Sequence, residues 1–164
     1  MREAGAAAVA VGLLGAAAGA LHTATRLDRL HVRTDAGWAG LDAALSRRAL
    51  VVLGACAAHE RMPGCAQLRA AAHAALAAEP ADREEVENEL GRALAALDRS
   101  ALDEVWAGQL NDAEQRVMIA RRVYNDAVRD TLALRAHRSV RWLRLAGTAP
   151  LPRYFEITEV AQQD

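Results

Sequence analysis

The stretch LDEVWAGQLNDAEQRVMIARRVYNDAVRDTLAL, residues 102–134, decides the fold. Within it, small or apolar residues recur every three or four positions. They are Leu102, Trp106, Leu110, Ala113, Val117, Ala120, Tyr124, Ala127, Thr131 and Leu134. This spacing is typical of a helix that packs one face against other helices. The stretch therefore predicts a single long helix, which is the fourth helix of the chain.

Three more helices are predicted upstream. The same rhythm begins at Leu27 and predicts a first helix over residues 26–59, which ends before a turn at Pro63-Gly64. A second, short helix is predicted over 65–78 and a third over 82–97, where Asp82 and Glu85 resemble a capping box. Four helices with short links predict an all-α fold, an antiparallel four-helix bundle over residues 26–146, followed by an extended tail over 147–164.

The composition agrees with a helical domain and excludes several kinds of chemistry. Of the 164 residues, 40 are alanine and 21 leucine, while aromatic residues make up 4%. All 20 basic residues are arginine, so lysine Schiff-base chemistry and a P-loop are excluded. The net charge of −1 gives no reason to expect a nucleic-acid partner.

The N-terminal segment Ala4–Leu21 contains no charged residue and just reaches the length that can span a membrane. We interpret residues 1–25 as a membrane anchor, that is, an N-terminal transmembrane helix. Two alternatives remain open. Ala18-Gly19-Ala20 resembles the cleavage site of a signal peptide, and the segment is also compatible with a soluble alanine-rich helix.

The distribution of arginine predicts the orientation of this anchor. One arginine, Arg2, precedes the segment, whereas Arg26, Arg29 and Arg33 follow it. Because positive charge is retained on the cytoplasmic side, the chain is predicted to be a single-pass protein of the cell membrane. The bulk of the chain would then lie in the cytoplasm.

Several motifs resemble the LemA family. The fourth helix carries the pattern Glu114-x6-Arg121-Arg122-x-Tyr124-Asn125-x2-Val128. The first helix carries Arg26-Leu27-Asp28, Ala36-x-Trp38-x2-Leu41-Asp42-x2-Leu45-x2-Arg48 and His59-Glu60, and the tail carries Pro152-x2-Phe155-Glu156. The motifs occur in the family's order over nearly the whole chain. The resemblance implies a four-helix bundle with one N-terminal transmembrane helix. It implies no catalytic residue, because the family has no established activity.

The polar residues of the first and fourth helices predict a buried network that fixes the register of the bundle. Its members are Asp42, Arg48, Glu114, Arg121, Tyr124 and Asn125. In an antiparallel pair of helices, facing residue numbers here sum to about 160 because both helices rise equally. This rule predicts that Arg48 pairs with Glu114 and Asp42 with Arg121, and that Trp38 lies near Tyr124. The alternative is that part of this set is catalytic.

One cluster carries metal-ligand residue types, Cys56-x2-His59-x5-Cys65-x7-His73. Zinc sites favour two close pairs, and only the first pair here is close. We therefore predict no metal ion and no cofactor; a structural zinc and a redox pair remain the alternatives. Cys56 and Cys65 are predicted to lie side by side across the Pro63 turn and to remain reduced.

The end of the fourth helix predicts a second membrane contact. It carries Arg135, Arg138, Arg141, Trp142 and Arg144. Tryptophan favours the headgroup region, and arginine is attracted to anionic lipids. The alternative is that this segment folds back on the first helix and that its arginines are solvated or paired.

Together these features predict a membrane-anchored helical bundle that acts as a scaffold or protein-interaction module. Its partners would be the membrane and an unidentified protein, with no small-molecule substrate. The alternative is an enzyme or metal-binding bundle with its site among helices 1 and 4. A concave pocket with perturbed titratable groups would favour the enzyme, and an exposed apolar or charged stripe would favour the scaffold.

Overall fold

The computed structural model describes residues 2–143, 146–147 and 149–157, apart from the side chains at 2–11, 13, 16 and 139. Within these residues all regular structure is helical, which confirms the all-α class. The helices are α1 (Arg2–Ala58), α2 (Cys65–Ala77), α3 (Arg83–Ala95), α4 (Glu104–Ala136) and α5 (Arg138–Trp142). A short 3-10 turn, Arg99–Ala101, precedes α4. The short helix α5 was not predicted.

The helix ends follow from turn and cap chemistry. Gly64 precedes α2 in a left-handed conformation with φ 84°, which a side chain rarely adopts, so the predicted Pro63-Gly64 turn is confirmed. At the start of α4, Asp103 Oδ1 accepts the backbone N–H of Trp106 at 2.9 Å.

The predicted capping box at Asp82 is wrong. This residue precedes α3, but its side chain makes no capping hydrogen bond in the described structure. The reason is its backbone conformation of φ −101° and ψ −1°, which is helical, whereas a capping side chain needs an extended backbone to reach the next turn. Asp82 instead accepts the N–H of Val86 with its carbonyl oxygen, as an ordinary helical residue does.

The chain divides into two compact units. The first unit comprises Met1–Ala36 and Asp126–Arg153, and the second comprises Gly37–Asn125 and Tyr154–Asp164. Helices α1 and α4 contribute residues to both units, whereas α2 and α3 belong to the second.

The second unit is a bundle of four helical segments. His59 Nε2 lies 3.5 Å from Asp103 Oδ2, and the rings of Trp38 and Tyr124 pack edge to face, so α1 and α4 run antiparallel here in the predicted register. The core is aliphatic and rich in small side chains. It includes Ala49, Val52, Ala55 and Cys56 of α1, Leu68, Ala72 and Ala75 of α2, Leu90, Ala93 and Leu94 of α3, and Leu110 of α4.

The first unit has a smaller described core. Leu27, Leu134 and Val140 are buried together, with Leu30 and Ala146 packed against them. Its interior also contains threonine: the hydroxyl oxygens of Thr34 and Thr131 lie 3.1 Å apart and hydrogen-bond to each other. Both hydroxyls are buried and therefore need hydrogen-bond partners, which they find in each other.

Within the described residues, no helix contains a stretch long and apolar enough to cross a membrane. The transmembrane helix predicted at residues 1–25 is therefore not supported by the structure. Many of the side chains of that segment, those at positions 1–11, 13 and 16, lie outside the described part.

Candidate functional site

The predicted pairing of Arg48 with Glu114 is wrong. The Arg48 guanidinium donates to Glu87 Oε2 of α3 at 2.6 Å, and Glu114 accepts both of its hydrogen bonds from Arg99, at 2.7 and 2.9 Å. The antiparallel register fixes the height of a residue along α1, but it does not fix the side on which the residue points. Arg48 points toward α3, so α3 supplies its carboxylate.

Around Arg48 the second unit encloses a network of charges. Glu87 has a fully buried side chain, and its second oxygen lies 3.2 Å from Arg83 Nε. The Arg83 guanidinium also donates to Ser46 Oγ at 3.1 Å and lies 3.2 Å from Asp42 Oδ1. Asp42 and Arg48 are thus members of a polar network, as predicted, but through partners on α3. The pairing of Asp42 with Arg121 stays a prediction.

The network of Arg48, Glu87 and Arg83 holds helices of the second unit together. One carboxylate, Glu87, lies between two guanidiniums, and both arginines are more than nine-tenths buried at the side chain. Each guanidinium offers planar, fixed donors that match carboxylate oxygens. Arg83 also donates to the Ala75 carbonyl at 3.0 Å, so the cluster joins α1, α2 and α3.

The sequence carried a signal for Glu87 and Arg83. Leu90 and Leu94 of α3 are buried, and Glu87 and Arg83 stand three and seven positions before Leu90. These spacings place them on the same face of a helix. Both residues are buried with that face, although charged residues on a helix are usually assigned to solvent.

The predicted residues Tyr124 and Asn125 belong to a second cluster, which also includes the tail. The Asn125 amide accepts the N–H of Phe155 at 2.9 Å and donates to the Phe155 carbonyl at 3.1 Å. The buried Phe155 ring packs edge to face against Trp38, with centroids 5.7 Å apart, and Trp38 packs against Tyr124 at 5.5 Å. Glu84 Oε1 accepts the backbone N–H of Glu156, which follows Phe155 in the tail, at 2.6 Å.

A glycine allows this cluster to form. A Cβ at Gly37 would lie 3.3 Å from the Tyr124 Cα, which is tighter than most such contacts. The missing side chain therefore lets α1 and α4 approach closely one residue before Trp38. We name the described tail residues 154–157 the strap, and the surface formed by Trp38, Tyr124, Asn125 and Glu84 the strap pocket. The described tail, 149–157, has no regular secondary structure, in agreement with the predicted extended tail; residues 158–164 lie outside the described part.

The two cysteines lie together, as predicted, and both are free thiols. Each Sγ lies 3.7 Å from the carbonyl oxygen of the other cysteine. Burial, a side-chain hydrogen bond with Cys65 and the charge of Cys65 raise the pKa of the Cys56 thiol from 9.0 to about 12, against a smaller lowering by Arg69. His59 bonds the Ala55 carbonyl with Nδ1. Among the described residues, no three histidine, cysteine or acidic side chains form a group that could hold a metal ion.

The predicted membrane-contact residues have different surroundings. Arg135 donates to the carbonyls of Ala149 and Pro150, at 2.8 and 3.0 Å, and so holds the chain that follows α5. Arg138, Arg141 and Trp142 are exposed, and Trp142 is 90% exposed. Arg144 lies outside the described residues.

The structure brings residues of three of the five LemA-like motifs together in the strap pocket, since Trp38, Asn125 and Phe155 come from the first helix, the fourth helix and the tail. Comparison of the chain with protein-family models, curated proteins and solved structures finds no match. Membership of the LemA family therefore stays a prediction.

Proposed function

We propose that this chain is a membrane-anchored helical scaffold of the LemA type, which binds another protein and holds it at a membrane surface. The motifs of α1, α4 and the tail support the family, and the uncharged segment 4–21 supports an anchor. In this proposal Arg26, Arg29 and Arg33, which follow the segment, lie on the cytoplasmic side.

The observation that carries the membrane part of this proposal is the exposure of Trp142. Val140 is buried and attaches α5 to the first unit, while Trp142 is 90% and Leu143 51% exposed. Two adjacent large apolar side chains in water are unfavourable, whereas tryptophan is stabilised at the headgroup level of a bilayer. Arg138 and Arg141 precede them on α5 and would attract anionic lipids.

Arg135 is not part of the membrane contact that we propose. Arg135 uses its guanidinium to bind the Ala149 and Pro150 carbonyls, so it is a positioning residue for the chain after α5. The contact that we propose therefore consists of Arg138, Arg141, Trp142 and Leu143.

Flotation with lipid vesicles tests this contact. The full chain and a variant lacking residues 1–25 are each mixed with neutral and with anionic vesicles, so that the anchor and α5 are measured separately. In the shortened variant, we expect Arg138→Gln with Arg141→Gln to weaken binding to anionic vesicles by about 2 kcal/mol, since each arginine contributes about 1 kcal/mol. Trp142→Ala should weaken binding to both kinds of vesicle.

Two matched controls come from the second unit. Arg92→Gln with Arg116→Gln removes the same charge from exposed side chains, and Leu50→Ala removes an exposed apolar side chain. Neither should change vesicle binding. Equal loss in these controls and in the α5 variants, or no binding by the shortened chain, would contradict the proposed contact at α5.

A further inference from the structure

The strap is held in its pocket in the way that proteins bind short extended peptides. The Asn125 side chain pairs with both the N–H and the carbonyl of Phe155, as a neighbouring strand would pair with a peptide. One aromatic side chain, Phe155, enters the pocket and meets the edge-to-face ring of Trp38. Main-chain bonds that hold the peptide and one buried aromatic anchor are the elements of sequence-selective peptide recognition.

Phe155 is more buried than the other residues of the strap. Tyr154 and Glu156 on either side of Phe155 have exposed side chains. The Glu156 backbone N–H donates to the Glu84 carboxylate, but this bond is exposed to solvent. Among the described residues, the strap is held by the buried Phe155, the half-buried Ile157 and three hydrogen bonds. It can leave its site without unfolding α1, α3 or α4, because the helices keep their own backbone bonds.

We propose that the strap pocket is a binding site for an extended segment of a partner protein, and that the chain's own strap occupies it as an intramolecular competitor. This inference rests on the proposed scaffold function and names its protein-binding site. The segment that fits carries a large aromatic residue whose N–H and carbonyl pair with Asn125. The N–H of the residue after the aromatic one pairs with Glu84, which disfavours proline at that position.

Competition by the tethered strap should weaken the binding of a free peptide to the wild-type chain. A tethered strap is present at an effective concentration on the order of millimolar, so a free peptide of similar intrinsic affinity is largely excluded from the wild-type chain. Removal of the Phe155 ring empties the aromatic part of the pocket and leaves Trp38, Tyr124, Asn125 and Glu84 in place. The variant should then accept a peptide in trans.

The experiment uses the full chain with Phe155→Ala and a fluorescein-labelled peptide of residues 152–157, PRYFEI. Fluorescence anisotropy should show binding at least tenfold tighter to the variant than to the wild type. The same peptide with Phe155→Ala should bind the variant at least tenfold more weakly, and the peptide with Glu156→Pro should bind it about threefold more weakly, because the bond to Glu84 is exposed to solvent. A second substitution in the chain, Asn125→Asp, keeps the acceptor for the N–H but removes the donor to the carbonyl, and it should also weaken peptide binding.

Thermal unfolding followed by circular dichroism confirms that each variant is folded at the temperature of the titration. The inference is overturned if the folded Phe155→Ala chain does not bind PRYFEI, or if it binds the Glu156→Pro peptide equally well. Either result would mean that the strap only stabilises the fold. A wild-type chain that is dimeric by light scattering and becomes monomeric with Phe155→Ala would overturn it too, since the occupant would then be a second copy. Vesicle flotation of Phe155→Ala should be unchanged, so failure here is distinguishable from failure of the membrane scaffold.

Discussion

The two units draw on the same helices, α1 and α4, but they bury different side chains. In the second unit, α2 and α3 complete the enclosure, and two arginines and a glutamate are buried beside an aliphatic core. In the described part of the first unit, the buried polar residues include Thr34 and Thr131, and the ion pair of Arg33 with Asp130 remains exposed, with 54% and 40% of the two side chains accessible. A charge can be enclosed where α3 contributes both a carboxylate and a guanidinium. At the exposed pair, the third charge is Arg129, which lies 3.7 Å from Asp130 on the same helix, α4, and is itself exposed.

The largest expected effect is the loss of the buried carboxylate. Glu87→Ala leaves Arg48 and Arg83 enclosed without their shared partner, and it should lower the free energy of unfolding by about 3–5 kcal/mol. Asp130→Ala in the first unit removes a carboxylate of an exposed pair and should cost about 0.5 kcal/mol. Urea denaturation followed by circular dichroism measures both values.

Amide hydrogen exchange assigns each effect to a unit. Glu87→Ala should raise exchange in α3 and in residues 37–58 of α1, whereas Asp130→Ala should leave these amides unchanged. Similar losses of stability from the two substitutions would contradict the distinction between a buried and an exposed pair.

Two glycines of α1 provide a smaller test of the same comparison. In the second unit, a Cβ at Gly54 would meet the Trp106 ring at 2.5 Å, so Gly54→Ala should displace that ring and cost about 1–3 kcal/mol. In the first unit, a Cβ at Gly19 meets no described atom within 4 Å, and Gly19→Ala should stabilise the helix by up to about 1 kcal/mol. Thermal unfolding should move in opposite directions for the two variants; a stabilising Gly54→Ala would show that Trp106 is not held against α1.

The apolar periodicity of the sequence was sufficient to predict α1 to α4, but not α5, and to predict the register of α1 against α4. The Trp38–Tyr124 contact and the proximity of Cys56 and Cys65 follow from that register and from the Pro63 turn, because helical rise alone determines them. The partner of Arg48 does not follow, since periodicity assigns a charged residue such as Glu87 to solvent until a buried counter-charge is identified.

The contacts of the strap could not be predicted from apolar periodicity. Phe155 lies in a segment without regular structure, so no period indicates which way its side chain points. Its partner Asn125 was predicted to be part of a polar network, but an amide can bond many groups, and nothing local specified a backbone 30 residues away. Long-range contacts of irregular segments are set by the shape of the assembled pocket.

The buried thiol of the second unit predicts a dependence of stability on pH. The pKa of Cys56 is about 12 in the folded chain and returns to 9.0 on unfolding. Below pH 9 both states hold the proton, and above it the unfolded state releases a proton that the folded state keeps. Stability therefore falls as pH rises from 9 toward 12, by about 1 kcal/mol at pH 10. Urea denaturation at pH 8 and pH 10 should show this loss in the wild type and less of it in Cys56→Ala; equal losses in the two chains would contradict the raised pKa.

The smallest expected effect concerns the threonine pair of the first unit. Thr34 and Thr131 hydrogen-bond to each other, and each hydroxyl also contacts the carbonyl four residues earlier, at 2.9 Å. Thr131→Val removes the hydroxyl–hydroxyl bond between the helices and should cost about 0.5–1 kcal/mol, while Thr34 keeps its bonds to the Leu30 carbonyl at 2.9 Å and to the Ala127 carbonyl at 3.5 Å. The double variant with Thr34→Val should cost less than the sum of the two single variants, because it replaces both buried hydroxyls by methyl groups of similar shape. Thr25→Val is the matched control, since the exposed Thr25 hydroxyl bonds only the Leu21 carbonyl within its own helix. Strictly additive costs for Thr34 and Thr131 would mean that the bond between the two hydroxyls contributes nothing to the stability of the first unit.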